Sequence, residues 1–233
     1  MYGERLRQNL ESVRSRIAAA ARRAGRDPAS VTLVAVTKRT PVELIQPLME
    51  SGVLDLGENY PQELWKKVEL LGGMAGMARW HLIGHLQGNK ARKTAALVHM
   101  IHAVDSLKLL QTLDDVASSQ ANPPAVCLQV NTSGEETKHG WSPEEILRDA
   151  VAIAACPRIH VVGLMTMAAL GATPEQTRAS FAQLRDIRGM LRDRTGLALP
   201  ELSMGMSADF EEAIEEGATL VRVGSALFEG VAG

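Results

Sequence analysis

Residues 31–41 read VTLVAVTKRTP, an apolar run rich in β-branched residues that ends in a lysine and passes at once into a helix-start signal. Val31 to Thr37 suits a strand covered on both faces in a parallel sheet. Thr40, Pro41 and Glu43 have the types and spacing of an N-cap, a first-turn proline and the N3 acid of a capping box, so a helix is expected to start there. Lys38 is thereby set at the carboxyl end of a strand, in a short strand-to-helix loop, where α/β proteins assemble their active sites. A lysine just past a strand is ordinarily solvated. Whether this one carries chemistry depends on what the rest of the chain brings to the same end.

Working outward, the same order recurs. Upstream, Leu6, Leu10, Val13, Ile17, Ala20 and Ala24 fall at helical spacing and stop at Gly25, with Asp27 and Pro28 beyond, which predicts one long amphipathic helix over residues 1–25. Downstream, apolar residues 53–56 lead through Gly57, Glu58 and Asn59 to a helix over 61–71; 80–83 lead to a helix near 87–98, and 99–104 to one near 106–118. Residues 125–130 are followed by a longer polar loop, 131–140, and a second capping box at Ser142, Pro143 and Glu145. A sixth strand is expected at 159–164, with a helix opened by Thr173, Pro174 and Gln176. The weakest strand, 199–202, precedes a helix at about 208–216 that Gly217 stops, and 219–223 is the last strand before a short tail. These units sum to a single-domain (β/α)8 TIM barrel over 31–230 with an additional N-terminal helix, slightly short of the usual ~250 residues. A doubly wound open sheet would need fewer strands, and no G-x-G-x-x-G follows the first one.

Composition narrows the class. In 233 residues, 45% hydrophobic and 22% charged, no apolar run approaches the roughly 20 residues that span a bilayer, and the first residues, MYGERLRQNLESVR, are polar where a secretory signal is apolar. A cytoplasmic protein is expected. Cys127 and Cys156 have no metal-ligand spacing and read as buried or incidental thiols. A net charge of -2 argues against a general nucleic-acid binder, and the local cluster Lys90, Arg92, Lys93 reads as a solvated helix face.

In barrels of this type the loops after strands seven and eight often hold a phosphate. Here they read Ser203, Met204, Gly205, Met206, Ser207 and then Gly224, Ser225, small residues whose amides can approach an anion, with Ser207 where an N-cap would stand. Arg222 lies inside the last apolar strand, where a guanidinium needs a partner. Strand alternation puts Leu220, Arg222 and Gly224 on one face, so the arginine is expected either to point into the barrel toward a ligand or to form a structural ion pair with a carboxylate.

At this point the chain resembles the YggS/PROSC family of pyridoxal 5'-phosphate-binding proteins, the PLP homeostasis proteins, whose fold is similar to the N-terminal barrel of alanine racemase. The match runs nearly end to end, through AVTKRTP, LGENYPQEL, WHLIGHLQGNK, AVDS, QVNTSGEETKHG, GLMTM, LSMGMSADFEEAI and TLVRVGSALF. The resemblance implies pyridoxal 5'-phosphate as cofactor, held as an aldimine by Lys38. It further implies a phosphate bound by Ser207, Gly224 and Ser225, a pyridine nitrogen met by Arg222, and a pocket lined by Asn59, Ser203 and Met204. Lys138 matches a family lysine that takes the cofactor transiently. Arg39-Thr40 stands where many relatives have Thr-Lys, and LFEG where the commoner ending is IFG; neither departure touches a residue expected to bind cofactor.

Two function classes follow. In the first, the protein is no enzyme: it buffers a reactive aldehyde and delivers it to apo PLP-dependent enzymes, as a monomer. An arginine at the ring nitrogen makes the cofactor a poorer electron sink than an aspartate would, and burial beside Arg222 is expected to lower the Lys38 pKa. The second is a weak PLP-dependent racemase, for which Tyr2 and Tyr60 are the only tyrosines available as a second acid/base. A metal hydrolase would rest on His81 and His85, whose four-residue spacing falls at a strand end and not on a helix face, so no metal is expected.

Overall fold

A computed structural model of the protein describes residues 2–135 and 139–231. The chain opens with α1 (Tyr2–Arg23) and then alternates: β1 (Thr32–Val36), α2 (Ile45–Glu50), β2 (Asp55–Glu58), α3 (Pro61–Leu71), β3 (Arg79–Leu82), α4 (Ala91–Ala95), β4 (Met100–Val104) and α5 (Leu107–Ala117). The second half continues with β5 (Ala125–Gln129), α6 (Pro143–Arg148), α7 (Ala150–Ala154), β6 (His160–Met165), α8 (Pro174–Thr195), β7 (Glu201–Ser203), α9 (Phe210–Glu215), β8 (Leu220–Val223) and α10 (Ser225–Phe228). The eight strands pair in parallel and in sequence order, and β8 returns to β1 with Val34 opposite Arg222, so the barrel closes as expected.

Strand alternation sorts the side chains into two layers. Those pointing outward, among them Ala35, Leu56, Leu82, Leu128, Leu202 and Val221, join the helices in one large apolar core. Those pointing inward form a much smaller apolar cluster of Val34, Met100, Ala103, Cys127, Met165 and Leu220. The same inward positions carry buried polar groups, Asp55, His81, His102, Gln129, Ser203 and Arg222. Helix α1 buries Leu6, Leu10, Val13 and Ile17 and is tied to the last unit, with Asn9 donating to the carbonyls of Leu227 and Glu229 at 3.0 and 2.9 Å.

Local signals are realised unevenly. The capping boxes at Ser142/Glu145 and Thr173/Gln176 form in full. The one expected at Thr40 does not. Thr40 is drawn into a turn in which its N–H donates to the Thr37 carbonyl at 2.9 Å, and the chain enters a short 3-10 segment (Val42–Leu44) through Pro41, with no side-chain cap, before α2 begins. The helix expected near 87–98 is a 3-10 turn followed by the short α4, and the short tail after β8 contains α10.

Candidate functional site

The carboxyl end of β1 is anchored by buried polar groups. The Thr37 N–H donates to the Gly57 carbonyl at 2.9 Å, and its hydroxyl to Glu58 Oε1 at 2.8 Å. Lys67, reaching in from α3, forms an ion pair with Glu58 and donates to the Thr37 carbonyl at 2.6 Å. Both Glu58 and Lys67 are buried, although the sequence places Glu58 in a polar loop and Lys67 on an ordinary helix. Beyond this anchor the chain turns at Arg39, whose φ of 63° is left-handed, a conformation that costs a side-chain-bearing residue roughly 1–2 kcal/mol. Lys38 therefore sits at the corner of a fixed turn. Its position continues the inward-facing series of Val34 and Val36. It is exposed, and no hydrogen bond or ion pair among the described residues engages its amine. The burial beside Arg222 expected from the sequence is absent, because the turn carries Lys38 past the rim of the barrel wall.

Across the seam, the loops after β7 and β8 interlock. Ser207 is not the N-cap of α9, which begins three residues later with Asp209 in that position. Its hydroxyl instead accepts from the amides of Gly224 at 3.2 Å and Ala226 at 3.3 Å. Glycine is required twice here. Gly205 has φ of 92°, and a Cβ would lie 2.6 Å from Ala213 Cβ and 2.9 Å from Phe210 Cα. At Gly224 a Cβ would press against the Val36 Cβ and carbonyl, both at 3.3 Å. The Ser207 hydroxyl, which accepts from both amides and keeps its own proton to donate, and the exposed Ser225 thus lie beside the end of β1, and an anion that replaced Ser207 Oγ would meet the two amides.

Arg222 points into the barrel, as alternation predicts, and is buried. Its guanidinium donates to Ser203 Oγ at 2.6 Å and to the Thr166 carbonyl at 3.0 Å. Among the described residues no carboxylate pairs with it, so the alternative of a structural ion pair is not what holds it. Burial brings its pKa down to about 10, which leaves it a cation at neutral pH. Ser203 in turn meets His102 Nδ1 at 2.6 Å.

Other expected residues fall as follows. Asn59 follows β2 at the same mouth, half-buried, with Gly84 packed so tightly on its carbonyl that a Cβ there would overlap it. Met204 is buried, but its side chain belongs to the outer core, so only its backbone can face the mouth. Lys138 lies outside the described residues. His81 and His85 do not share a site: both ring nitrogens of His81 are engaged, with His102 at 2.9 Å and Asp55 at 3.0 Å. His85 bonds Asp105 at 2.7 Å and stacks on His139 at the surface. Of the basic cluster, Arg92 and Lys93 are exposed on α4 as expected, with Lys93 lying over Trp65, whereas Lys90 is half-buried in the 3-10 turn before it. Cys127 and Cys156 are free and buried. No helix among the described residues is long and apolar enough to cross a membrane.

Comparison with known proteins adds an independent line. Residues 8–231 match the family model of the alanine racemase N-terminal domain. The pyridoxal phosphate homeostasis protein of Pseudomonas aeruginosa is 42% identical over 221 residues, covering 95% of this chain and 94% of the relative. That of Aquifex aeolicus is 39% identical, covering 95% and 96%. Among solved structures, PipY of Synechococcus elongatus with PLP bound superposes with a TM-score of 0.85 at 36% identity, covering 96% of this chain and 99% of PipY. A parallel barrel closed in sequence order, a fixed lysine turn facing an interlocked serine-glycine cradle, and identities of this size over nearly the full length agree: the chain belongs to the pyridoxal phosphate homeostasis protein family.

Proposed function

We propose that this chain is a single-domain pyridoxal 5'-phosphate-binding protein that holds the cofactor at the carboxyl mouth of its barrel and takes part in intracellular PLP homeostasis. The observation that carries the reading is the convergence of the Gly224 and Ala226 amides on Ser207 Oγ, at 3.2 and 3.3 Å, on one side of the β1–β8 seam whose other side ends in Lys38. The residues fit the group: Ser207, accepting from the Gly224 and Ala226 amides, keeps its hydroxyl proton for a phosphate oxygen beside a glycine where a Cβ would crowd Val36, and Arg222 is a buried donor with neutral partners. Ser207, Gly224 and Ser225 would hold the phosphate, Arg222 the ring nitrogen, and Asn59, Ser203 and the Met204 backbone the remaining edges. When bound, PLP supplies an aldehyde open to an amine and an electron-withdrawing ring. Lys38 presents that amine from a turn braced by Thr37, Glu58 and Lys67. The family name and the PLP-bound relative support the assignment.

The protein holds its cofactor without turning it over. Arg222 only donates, so it does not hold a proton on the ring nitrogen as a carboxylate would, and Tyr60, the tyrosine beside Asn59, is 61% exposed. On this reading its partners are apo PLP-dependent enzymes and it acts as a monomer in the cytoplasm, a compartment that its two unpaired cysteines suit.

The test is to load the protein with PLP, reduce with borohydride and locate the label by mass spectrometry, with Lys38→Ala in parallel. A label confined to Lys38 is expected; protein that takes up no PLP would refute the reading. Incubating loaded protein with L-alanine in deuterium oxide then separates holding from turnover, since α-proton exchange dependent on Lys38 would establish the racemase-like alternative.

A further inference from the structure

We propose that Asp55, His81 and His102 form a one-way hydrogen-bond relay along the barrel interior that positions Ser203 and, through it, Arg222 for the cofactor; this rests on the PLP-binding reading above. The five groups come from five strands and are joined by four contacts of 2.6, 2.6, 2.9 and 3.0 Å, from Arg222 to Ser203, His102, His81 and Asp55. All five are buried.

The direction of every proton follows from the carboxylate end when both imidazoles are neutral, since a carboxylate can only accept. Asp55 Oδ1 takes the Nε2 proton of His81, whose bare Nδ1 accepts the Nε2 proton of His102. The bare Nδ1 of His102 then accepts the Ser203 hydroxyl proton, while Ser203 Oγ accepts from Arg222. Asp55 is clamped as the terminal acceptor by Arg79, at 2.7 and 2.5 Å. Burial above all, with the nearby Arg222 charge, drives the His102 pKa well below its ordinary value, so His102 is the neutral link this order requires.

Two consequences follow for the mouth of the barrel. The hydroxyl proton of Ser203 is committed to His102, so toward a ligand Ser203 can accept but not donate. Arg222 touches only neutral acceptors, and the carboxylate whose charge acts on it, Asp209, makes no hydrogen bond or ion pair with it among the described residues. A carboxylate in contact would cancel the positive potential that a phosphorylated ligand needs. At its far end the relay meets a cavity of about 460 Å³ at the amino-terminal end of the barrel, lined by Thr32, Leu33, Asp55 and Arg79.

The relay is tested first without cofactor. Long-range proton–nitrogen NMR of the wild-type apo protein should show His81 and His102 as Nε2–H tautomers; a proton on His102 Nδ1 would overturn the assignment. PLP titration followed by absorbance and circular dichroism then compares wild type, His102→Leu and His102→Gln. Loss of a hydrogen bond to a group that orients a charged donor predicts binding weakened about tenfold or more in His102→Leu, with an altered cofactor spectrum. Glutamine can accept through its oxygen and donate through its nitrogen, and should restore most of both. A folded His102→Leu with wild-type affinity and spectrum would overturn the relay's action on the site. If His102→Leu does not fold, Asp55→Ala, which removes the terminal acceptor far from the cofactor and no buried ring, must weaken PLP binding in the same sense; unchanged affinity would overturn the relay. Wild-type protein that binds no PLP would refute the functional reading itself, a result distinct from either failure.

Discussion

The two faces of the barrel wall are built on opposite principles. Outward positions are mainly apolar, with the Glu58–Lys67 pair an exception, and merge with the helices into one continuous core, whereas inward positions combine six apolar side chains with an aspartate, two histidines, a glutamine, a serine and an arginine, all buried. The outer face stabilises by area removed from water and tolerates many equivalent sequences. The inner face consists of groups that are costly when unpaired, and it persists because each has a partner of the right polarity. Stability is concentrated on one side of the wall and specific chemistry on the other.

Substitutions on either face should separate these roles. The largest loss of stability is expected from Phe181→Ala, since this α8 side chain is fully buried in the outer core: about 3–5 kcal/mol in urea unfolding, with the remaining folded protein still binding PLP. Gly205→Ala joins the two faces, because its Cβ would strike Ala213 and Phe210 while its φ stays at 92°. A loss of about 2 kcal/mol or more is expected together with weakened phosphate binding; an alanine variant of unchanged stability would show that the cradle is not fixed by that contact.

A third substitution, Asp55→Asn, acts through pH. Burial raises the Asp55 pKa, but hydrogen bonds from Arg79 and His81, with the Arg79 charge, more than offset this and hold it well below the ordinary carboxylate range. A depressed carboxylate contributes stability that is present above its unfolded value near pH ~4 and is lost as pH falls toward its folded value. Asparagine should therefore flatten the acid limb of the stability curve below about pH 4. An unchanged acid limb would mean that Arg79 and His81 do not hold the charge.

Smallest in stability and largest in function is Lys38→Ala. Because the side chain is exposed and unengaged, the urea midpoint should correspond to a change within about ±0.5 kcal/mol, while the borohydride-reducible cofactor disappears. A marked loss of stability would place Lys38 among the structural residues and blur the division between the faces.

The repeating order of strand and helix is legible in the sequence because it depends on local periodicity, and all eight strands fall within about two residues of the runs that announce them. Capping is legible where the cap faces solvent, at Ser142 and Thr173. It misleads where tertiary demands compete: Thr40 gives its N–H to the Lys38 turn, and Ser207 gives its hydroxyl to the loop after β8. Arg222 could be singled out as a charge inside an apolar run, and alternation gave its direction. Its partners could not be read, because Ser203 lies on β7 and Thr166 just past the end of β6, both distant in the chain.

Asp55, His81 and His102 leave only a faint mark in sequence, polar residues at alternate positions of three separate strands. Nothing local says that closure of the barrel lines them up. The sequence by itself determined the strand–helix count, the closed parallel fold, the lysine at a strand end and the small-residue loops, since each is written within a few consecutive residues. Only the tertiary structure decided that Lys38 stands exposed on a turn braced by a buried Lys67–Glu58 pair, and that one line of hydrogen bonds connects Asp55 to Arg222. Both depend on contacts between residues distant in the chain, and the energy of a buried polar group is set by what it touches, not by what precedes it.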